Sequence, residues 1–228
     1  MIDKIYASRE AALADIPDGA TIMIGGFGNA GMPAALIDAL IEQGARDLTI
    51  VNNNAGNGDT GLAALLKAKR VRKIICSFPR QTDSHVFDAL YRAGEIELEL
   101  TPQGNLAERI RAAGAGIGGF FTPTGYGTLL AEGKETRVIN GRNYVLESPI
   151  HADYALIKAH RADRWGNLVY RKTARNFGPI MAMAAKYTIV QVNEVVELGA
   201  LDPETIVTPG IFVQRVVQVS AGAKEERQ

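Results

Sequence analysis

Thr21-Ile22-Met23-Ile24-Gly25-Gly26-Phe27-Gly28-Asn29-Ala30-Gly31-Met32-Pro33 decides the fold class. A short apolar run ending in glycine reads as a buried strand of a parallel sheet. Leu36, Ile37, Leu40 and Ile41 then share one face, which predicts a helix over 33–43. Pro33 suits its first position and Gly44 its left-handed cap. Between strand and helix lies G-x-G-x-x-G at Gly26, Gly28 and Gly31. The same alternation recurs downstream. Residues 48–51 and 73–76 predict strands, and 61–68 and 84–93 predict helices, the second ended by Gly94. Residues 95–100 alternate polar and apolar, the period of a strand with one wet face. Asn105 is then placed to cap a fourth helix, with Glu108 at the capping-box position. Four strand–helix units predict an α/β fold, an open, mainly parallel sheet with crossover helices.

The second half carries different signals. Residues 114–127 are glycine-rich and contain Thr122-Pro123-Thr124, so a loop is expected there. Arg137-Val138-Ile139, Asn140-Gly141 and 142–146 predict a hairpin, because Asn-Gly supplies the two positive-φ residues of a type I′ turn. Residues 154–158 and 188–192 predict two more strands, and the polar end, 221–228, is expected to fray. No repeat, low-complexity tract or linker composition divides the chain, so 1–228 is expected to form one domain.

Composition removes several function classes. The chain has 228 residues, with 25 Lys plus Arg against 25 Asp plus Glu. A balanced chain has no long-range field to gather nucleic acid or acidic membrane. Its one cysteine excludes a disulfide framework and a thiolate zinc site, and fits a reducing cytoplasm. No run of 18 apolar residues spans a bilayer, and residues 1–15 lack the apolar core of a leader, so a cytoplasmic location is expected.

The glycine stretch admits close backbone approach to a ligand, and a helix start offers N–H donors to an anion. Dinucleotide binding would also need an acid about 20 residues on, at the end of the second strand. That strand ends in Asn52-Asn53-Asn54, and the next acid is Asp59, which comes too late. An NAD-dependent oxidoreductase is therefore an alternative with a missing part. The asparagines put neutral donors and acceptors at a strand's carboxyl end, where turn chemistry explains them equally well. Gln103, in Thr101-Pro102-Gln103-Gly104-Asn105, could aim an amide N–H at a developing oxyanion, or belong to a polar loop. His85, His151 and His160 show no metal spacing, so no metal site is expected. Cys76 lies in an apolar strand and reads as an inert buried thiol. There is no G-x-S-x-G. Glu132 and Glu147 are the only glutamates in settings that look like nucleophile sites, and each reads better as a turn or strand-end residue. The chain thus offers a binding crevice without a nucleophile.

Five stretches together resemble one family. They are 25–33, 53–56, 101–109, Phe121-Thr122-Pro123-Thr124-Gly125-Tyr126-Gly127-Thr128 and Arg171-Lys172-Thr173-Ala174-Arg175-Asn176-Phe177. In this order they look like the A (alpha) half of the 3-oxoacid CoA-transferases, over about residues 3–217. The resemblance implies transfer of CoA from succinyl-CoA to a 3-oxoacid, 3-oxoadipate first and acetoacetate as the alternative. It implies no permanently bound cofactor, CoA and succinyl-CoA being substrates. It implies a glutamate nucleophile on a B (beta) subunit, in a heterodimer or (AB)2 assembly, working by ping-pong covalent catalysis. Gly25, Gly26, Phe27, Gly28, Asn29, Ala30 and Gly31 match the family's CoA-contacting loop. Asn53 is grouped with them as a coenzyme contact, and Gln103 matches a glutamine that polarises the thioester carbonyl. A stand-alone CoA-binding module without chemistry is a third reading.

Overall fold

The computed structural model describes residues 2–219. The 221–228 segment therefore lies outside the described residues. The first half alternates as expected: α1 (Arg9–Leu13), β1 (Thr21–Ile24), α2 (Ala34–Gln43), β2 (Leu48–Val51), α3 (Leu62–Lys67), β3 (Val71–Cys76), α4 (His85–Arg92), β4 (Glu97–Leu100) and α5 (Gln103–Gly114). The second half adds β5 (Phe120–Thr122), β6 (Thr136–Ile139), β7 (Arg142–Glu147), β8 (Ala152–Asp163), β9 (Leu168–Val169), α6 (Gly178–Ala184), β10 (Ala185–Val196) and β11 (Arg215–Gln218).

The main sheet runs β11-β10-β8-β1-β2-β3-β4, every neighbouring pair parallel, and β9 adds antiparallel to β8. Both faces are covered. Leu13, Leu36, Leu40, Leu65 and Phe87 bring α1–α4 onto Ile22, Ile24, Ile50 and Leu156. Leu106, Ile110 and Met181 bring α5 and α6 onto Met23, Val51, Ile75 and Ile157 on the other face. Burial on both faces is why β1 and β2 are continuous apolar runs.

The order places β1 between β2 on one side and β8 on the other. Loops leaving adjacent strands in opposite directions open a crevice at their carboxyl ends, where open α/β sheets bind ligands. Both the glycine stretch after β1 and the asparagines after β2 sit on that edge.

Several expectations change in detail. Pro33 is the cap of α2, not its first residue. Residues 114–127 are not all loop, since β5 pairs with β7, which pairs with β6 in a separate antiparallel sheet. Its hairpin turn is as read, with Asn140 at φ +50 and Gly141 at φ +76. Asn105 does not cap α5. The helix starts two residues earlier, with Pro102 at the cap, and Asn105 is buried inside it. Its Nδ2 donates to Thr124 O at 3.3 Å and Glu147 Oε1 at 3.1 Å, tying the small sheet to the helix. Glu108 pairs with Arg111 instead of closing a capping box. On β4, Glu99 is drawn inward by Lys73 at 2.6 Å and Arg109 at 3.0 Å, so the wet face carries an ion cluster while Leu100 is exposed.

Candidate active site

The glycine loop is built by contact with its own chain. At Gly31, φ is +76 and an added Cβ would stand 2.7 Å from Ala174 O. Asn176 Nδ2 donates to Ala30 O at 2.9 Å from the same side, so residues 172–176 are clamped on the loop. At Gly28, φ is +58 and an added Cβ would meet nothing within 4 Å. One glycine therefore serves packing, and the other leaves open space.

The start of α2 is not the open anion site that the motif suggests. Gln191, buried on β10, turns its Oε1 onto Ala35 N at 3.1 Å and Leu36 N at 3.3 Å. The backbone donors that would cradle a pyrophosphate are already used. This removes the physical basis of the NAD alternative, along with the absent acid after β2. Sequence reasoning missed Gln191, although a lone glutamine in the apolar run 188–192 was a signal.

Beside the loop, at the β1/β8 switch, is a cavity of about 450 Å³. Asn29, Ala30 and Gly31 form one wall, Lys158, Arg171 and Lys172 bring positive charge to it, and His160 lies among them. Burial, then the charges of Arg161 and Arg171, hold His160 below the usual imidazole pKa, so it is neutral at pH 7. Asp38 and Asp59 stand among the lining residues. Asp59 is already paired with Lys67 at 2.9 Å, which lowers its pKa. Of these cavity residues, Asn29, Ala30 and Gly31 were singled out from sequence as coenzyme contacts, while Lys158, His160, Arg171 and Lys172 were not.

Asn53 and Gln103 come together on the α5 side of the sheet edge. Gln103 Nε2 donates to Asn53 Oδ1 at 2.9 Å, although the two are 50 residues apart. Ser77, after β3, donates to the same Oδ1 at 2.8 Å. Asn52 Nδ2 donates to Ile24 O at 2.6 Å and its Oδ1 accepts from Asn54 N, so part of the asparagine cluster is turn chemistry. Asn54 Nδ2 is buried without a hydrogen-bond partner. Asn53 and Gln103 do not line the cavity beside the glycine loop, whose helical walls belong to α2 and α3 on the opposite face. The predicted residues thus form two groups.

The remaining candidates are occupied. Glu147 is buried, with Lys134 Nζ at 2.8 Å and Arg109 Nε at 3.7 Å besides Asn105. Glu132 is exposed and caps the short helix 129–131. Burial pushes the Cys76 thiol up to about 12, too high for a thiolate at neutral pH. His85 is exposed against Asp83 at 2.8 Å, a contact that raises its pKa. No group of His, Cys, Asp and Glu among the described residues could hold a metal ion. No helix among them is long and apolar enough to cross a membrane.

The family model described as Coenzyme A transferase matches residues 6–219. The A subunit of a 3-oxoadipate CoA-transferase from Pseudomonas putida is 74% identical over 223 residues, covering 98% of this chain and 96% of that protein. The A subunit of a succinyl-CoA:3-ketoacid coenzyme A transferase from Xanthomonas campestris is 54% identical over 215 residues, covering 94% and 88%. An acyl-CoA transferase from E. coli O157:H7, solved as a thioester complex with CoA, superposes with a TM-score of 0.83 at 23% identity. That match covers 95% of this chain and 47% of the other, so this chain spans about half of that protein.

Proposed function

This chain belongs to the coenzyme A transferase family, and we propose that it is the A component of a cytoplasmic two-subunit enzyme that moves CoA from succinyl-CoA to 3-oxoadipate. The higher identity to the 3-oxoadipate relative, 74% against 54%, favours that acceptor over acetoacetate. The observation that carries the chemistry is a donor without a nucleophile. Gln103 holds an amide N–H at the strand edge, while the nearby carboxylates Glu99 and Glu147 are tied up in ion pairs.

A partner B subunit supplies the attacking glutamate. Its carboxylate adds to the thioester carbonyl carbon, and the carbonyl oxygen takes the negative charge. Gln103 Nε2–H donates to that oxygen, an interaction that strengthens as the charge develops. CoA thiolate leaves, giving an acyl–glutamyl anhydride. The thiolate then attacks the glutamyl carbonyl, releasing succinate and leaving a glutamyl-CoA thioester. The 3-oxoadipate carboxylate attacks this thioester and frees thiolate again. Attack of the thiolate on the new acyl group yields 3-oxoadipyl-CoA and restores the glutamate. CoA passes along the glycine loop, where the open side of Gly28 leaves room for it and the cations of the neighbouring cavity suit its phosphates. An A–B interface of this kind buries above about 2,000 Å².

The test is reconstitution. The B subunit, this chain and the mixture of the two are assayed for CoA transfer from succinyl-CoA to 3-oxoadipate and to acetoacetate. Activity is expected only in the mixture, with kcat/KM at least about tenfold higher for 3-oxoadipate, a difference of about 1.4 kcal/mol in transition-state binding. Transfer by this chain alone would refute the division of labour, and a preference for acetoacetate would replace the acceptor.

A further inference from the structure

Gln103 is exposed in this chain, at the first position of α5, whereas an oxyanion donor must present one end of its amide. An exposed glutamine turns freely about its side-chain bonds, and its amide has two chemically opposite ends. Presented by its carbonyl end, it would repel the oxyanion that its N–H end would stabilise. The geometry around it supplies one restraint. Asn53 is 2% exposed, and its Oδ1 receives both Gln103 Nε2 at 2.9 Å and Ser77 Oγ at 2.8 Å. Ser77 Oγ also lies 3.0 Å from the Asn53 carbonyl oxygen, so it abuts both polar ends of that residue. Ser77 N donates to the same carbonyl at 3.2 Å, which locks the segment after β3 to the segment after β2.

We propose that Asn53 is a positioning residue for Gln103, with Ser77 holding Asn53 in place. By accepting one of the two N–H bonds of Gln103, Asn53 Oδ1 fixes the nitrogen end of that amide at the crevice and leaves the second N–H for the thioester oxygen. Asn53 then acts through Gln103, and does not itself contact the coenzyme as the sequence suggested. The inference rests on the transfer reaction proposed above. It adds a requirement: the carboxyl ends of β2, β3 and β4 must stay in register for the donor to be aimed. The parallel pairing of Val51–Ile75, Ile75–Glu99 and Cys76–Leu100 provides that register.

A double-mutant cycle in the reconstituted A–B enzyme tests this. Asn53→Ala, Gln103→Ala and the double variant are assayed at saturating succinyl-CoA, with a melting curve for each. Asn53→Ala is expected to lower kcat by at least about tenfold while KM changes by less than about threefold, the pattern of an interaction felt mainly in the transition state. The double variant should be no more than about threefold slower than Gln103→Ala alone, because the first loss is contained in the second. Ser77→Ala should lower kcat about two- to fivefold, and Ser77→Thr, which keeps the hydroxyl, should restore it. Losses that multiply in the double variant, or an Asn53→Ala effect confined to KM, would make Asn53 an independent contact and overturn the proposal. Should Asn53→Ala fail to fold, the Ser77 pair decides: wild-type kcat in Ser77→Ala would overturn it equally. Failure of the underlying reading looks different, since it shows as full-speed Gln103→Ala enzyme or as no CoA transfer by the wild-type complex.

Discussion

Two helices begin at the carboxyl ends of parallel strands in this fold, and they begin in opposite ways. α2 follows the glycine motif, and its first free N–H groups are closed off by Gln191 from β10. α5 follows a plain Thr-Pro-Gln turn without a side-chain cap, and its first residue carries an amide with a hydrogen to spare. The motif that looks like an anion cradle is internally satisfied, while the ordinary turn keeps a donor available. A glycine fingerprint reports that backbones approach closely; whether a ligand or the protein fills that approach depends on a residue more than 150 positions away.

The contrast can be broken at several places. The largest effect is expected at α5. Gln103→Ala should lower kcat on the order of 100- to 1,000-fold, about 3–4 kcal/mol of barrier, with little change in melting. A less stable variant at full speed would reduce Gln103 to a loop residue. The loop before α2 should respond in stability instead. Gly31→Ala drives a Cβ to 2.7 Å from Ala174 O in left-handed backbone, and a loss of about 2–3 kcal/mol is expected in denaturant unfolding. Gln191→Leu leaves two helix N–H groups without their acceptor and should cost about 1–3 kcal/mol while kcat holds. A fall in kcat without loss of stability would show that the α2 start takes part in the reaction. Gly28→Ala separates the loop's two tasks. Its Cβ enters open space, so only the left-handed strain of about 1 kcal/mol falls on the fold. A rise in KM for succinyl-CoA beyond that strain marks a ligand surface, and an unchanged KM contradicts the coenzyme path.

The smallest effect is electrostatic. Burial raises the pKa of Glu99, but Lys73 and Arg109 outweigh it and hold the carboxyl below its usual range. A lowered folded pKa stabilises fully above the unfolded value, about 4.3, and that gain disappears as pH falls through the folded value. The stability gap between wild type and Glu99→Gln should therefore narrow between about pH 6 and pH 3. A gap independent of pH would mean that the Lys73–Glu99–Arg109 cluster contributes no net charge stabilisation.

The half of the fold built from local alternation was legible. Apolar runs, glycine stops and helical faces marked β1 to β4 and their helices within a few residues. Elements held by distant pairing were legible only in part: the strands expected at 154–158 and 188–192 fall inside β8 and β10, but their full lengths did not show. β8 continues through His160, Arg161 and Asp163, where the apolar signal stops, because β10 pairs with it as far as Asp163. α6 starts Gly-Pro and has seven residues, too short for a helical period to show. β11 has four residues, and its Arg215 reaches back to Asp15 across 200 positions. At the site, residue type alone left the asparagines and Gln103 open to turn or loop readings, and it was the family resemblance that grouped the glycines, Asn53 and Gln103 as site residues. Their division into two groups could not be read, because it follows from which sheet face each helix covers. Arg171 and Lys172 entered the reading as part of a family stretch without a binding role, because their place at the cavity depends on the packing of residues 172–176 against the glycine loop.

In the proposed reaction this chain aims and polarises while its partner attacks, and a trapped intermediate tests that division most directly. The reconstituted enzyme, incubated with succinyl-CoA without an acceptor, should accumulate a glutamyl-CoA thioester. Reduction with borohydride followed by peptide mass spectrometry locates the modified glutamate. The expected result is a mark on a glutamate of the B subunit, with none on this chain. A modified glutamate in this chain, at Glu147, Glu132 or Glu99, would contradict it.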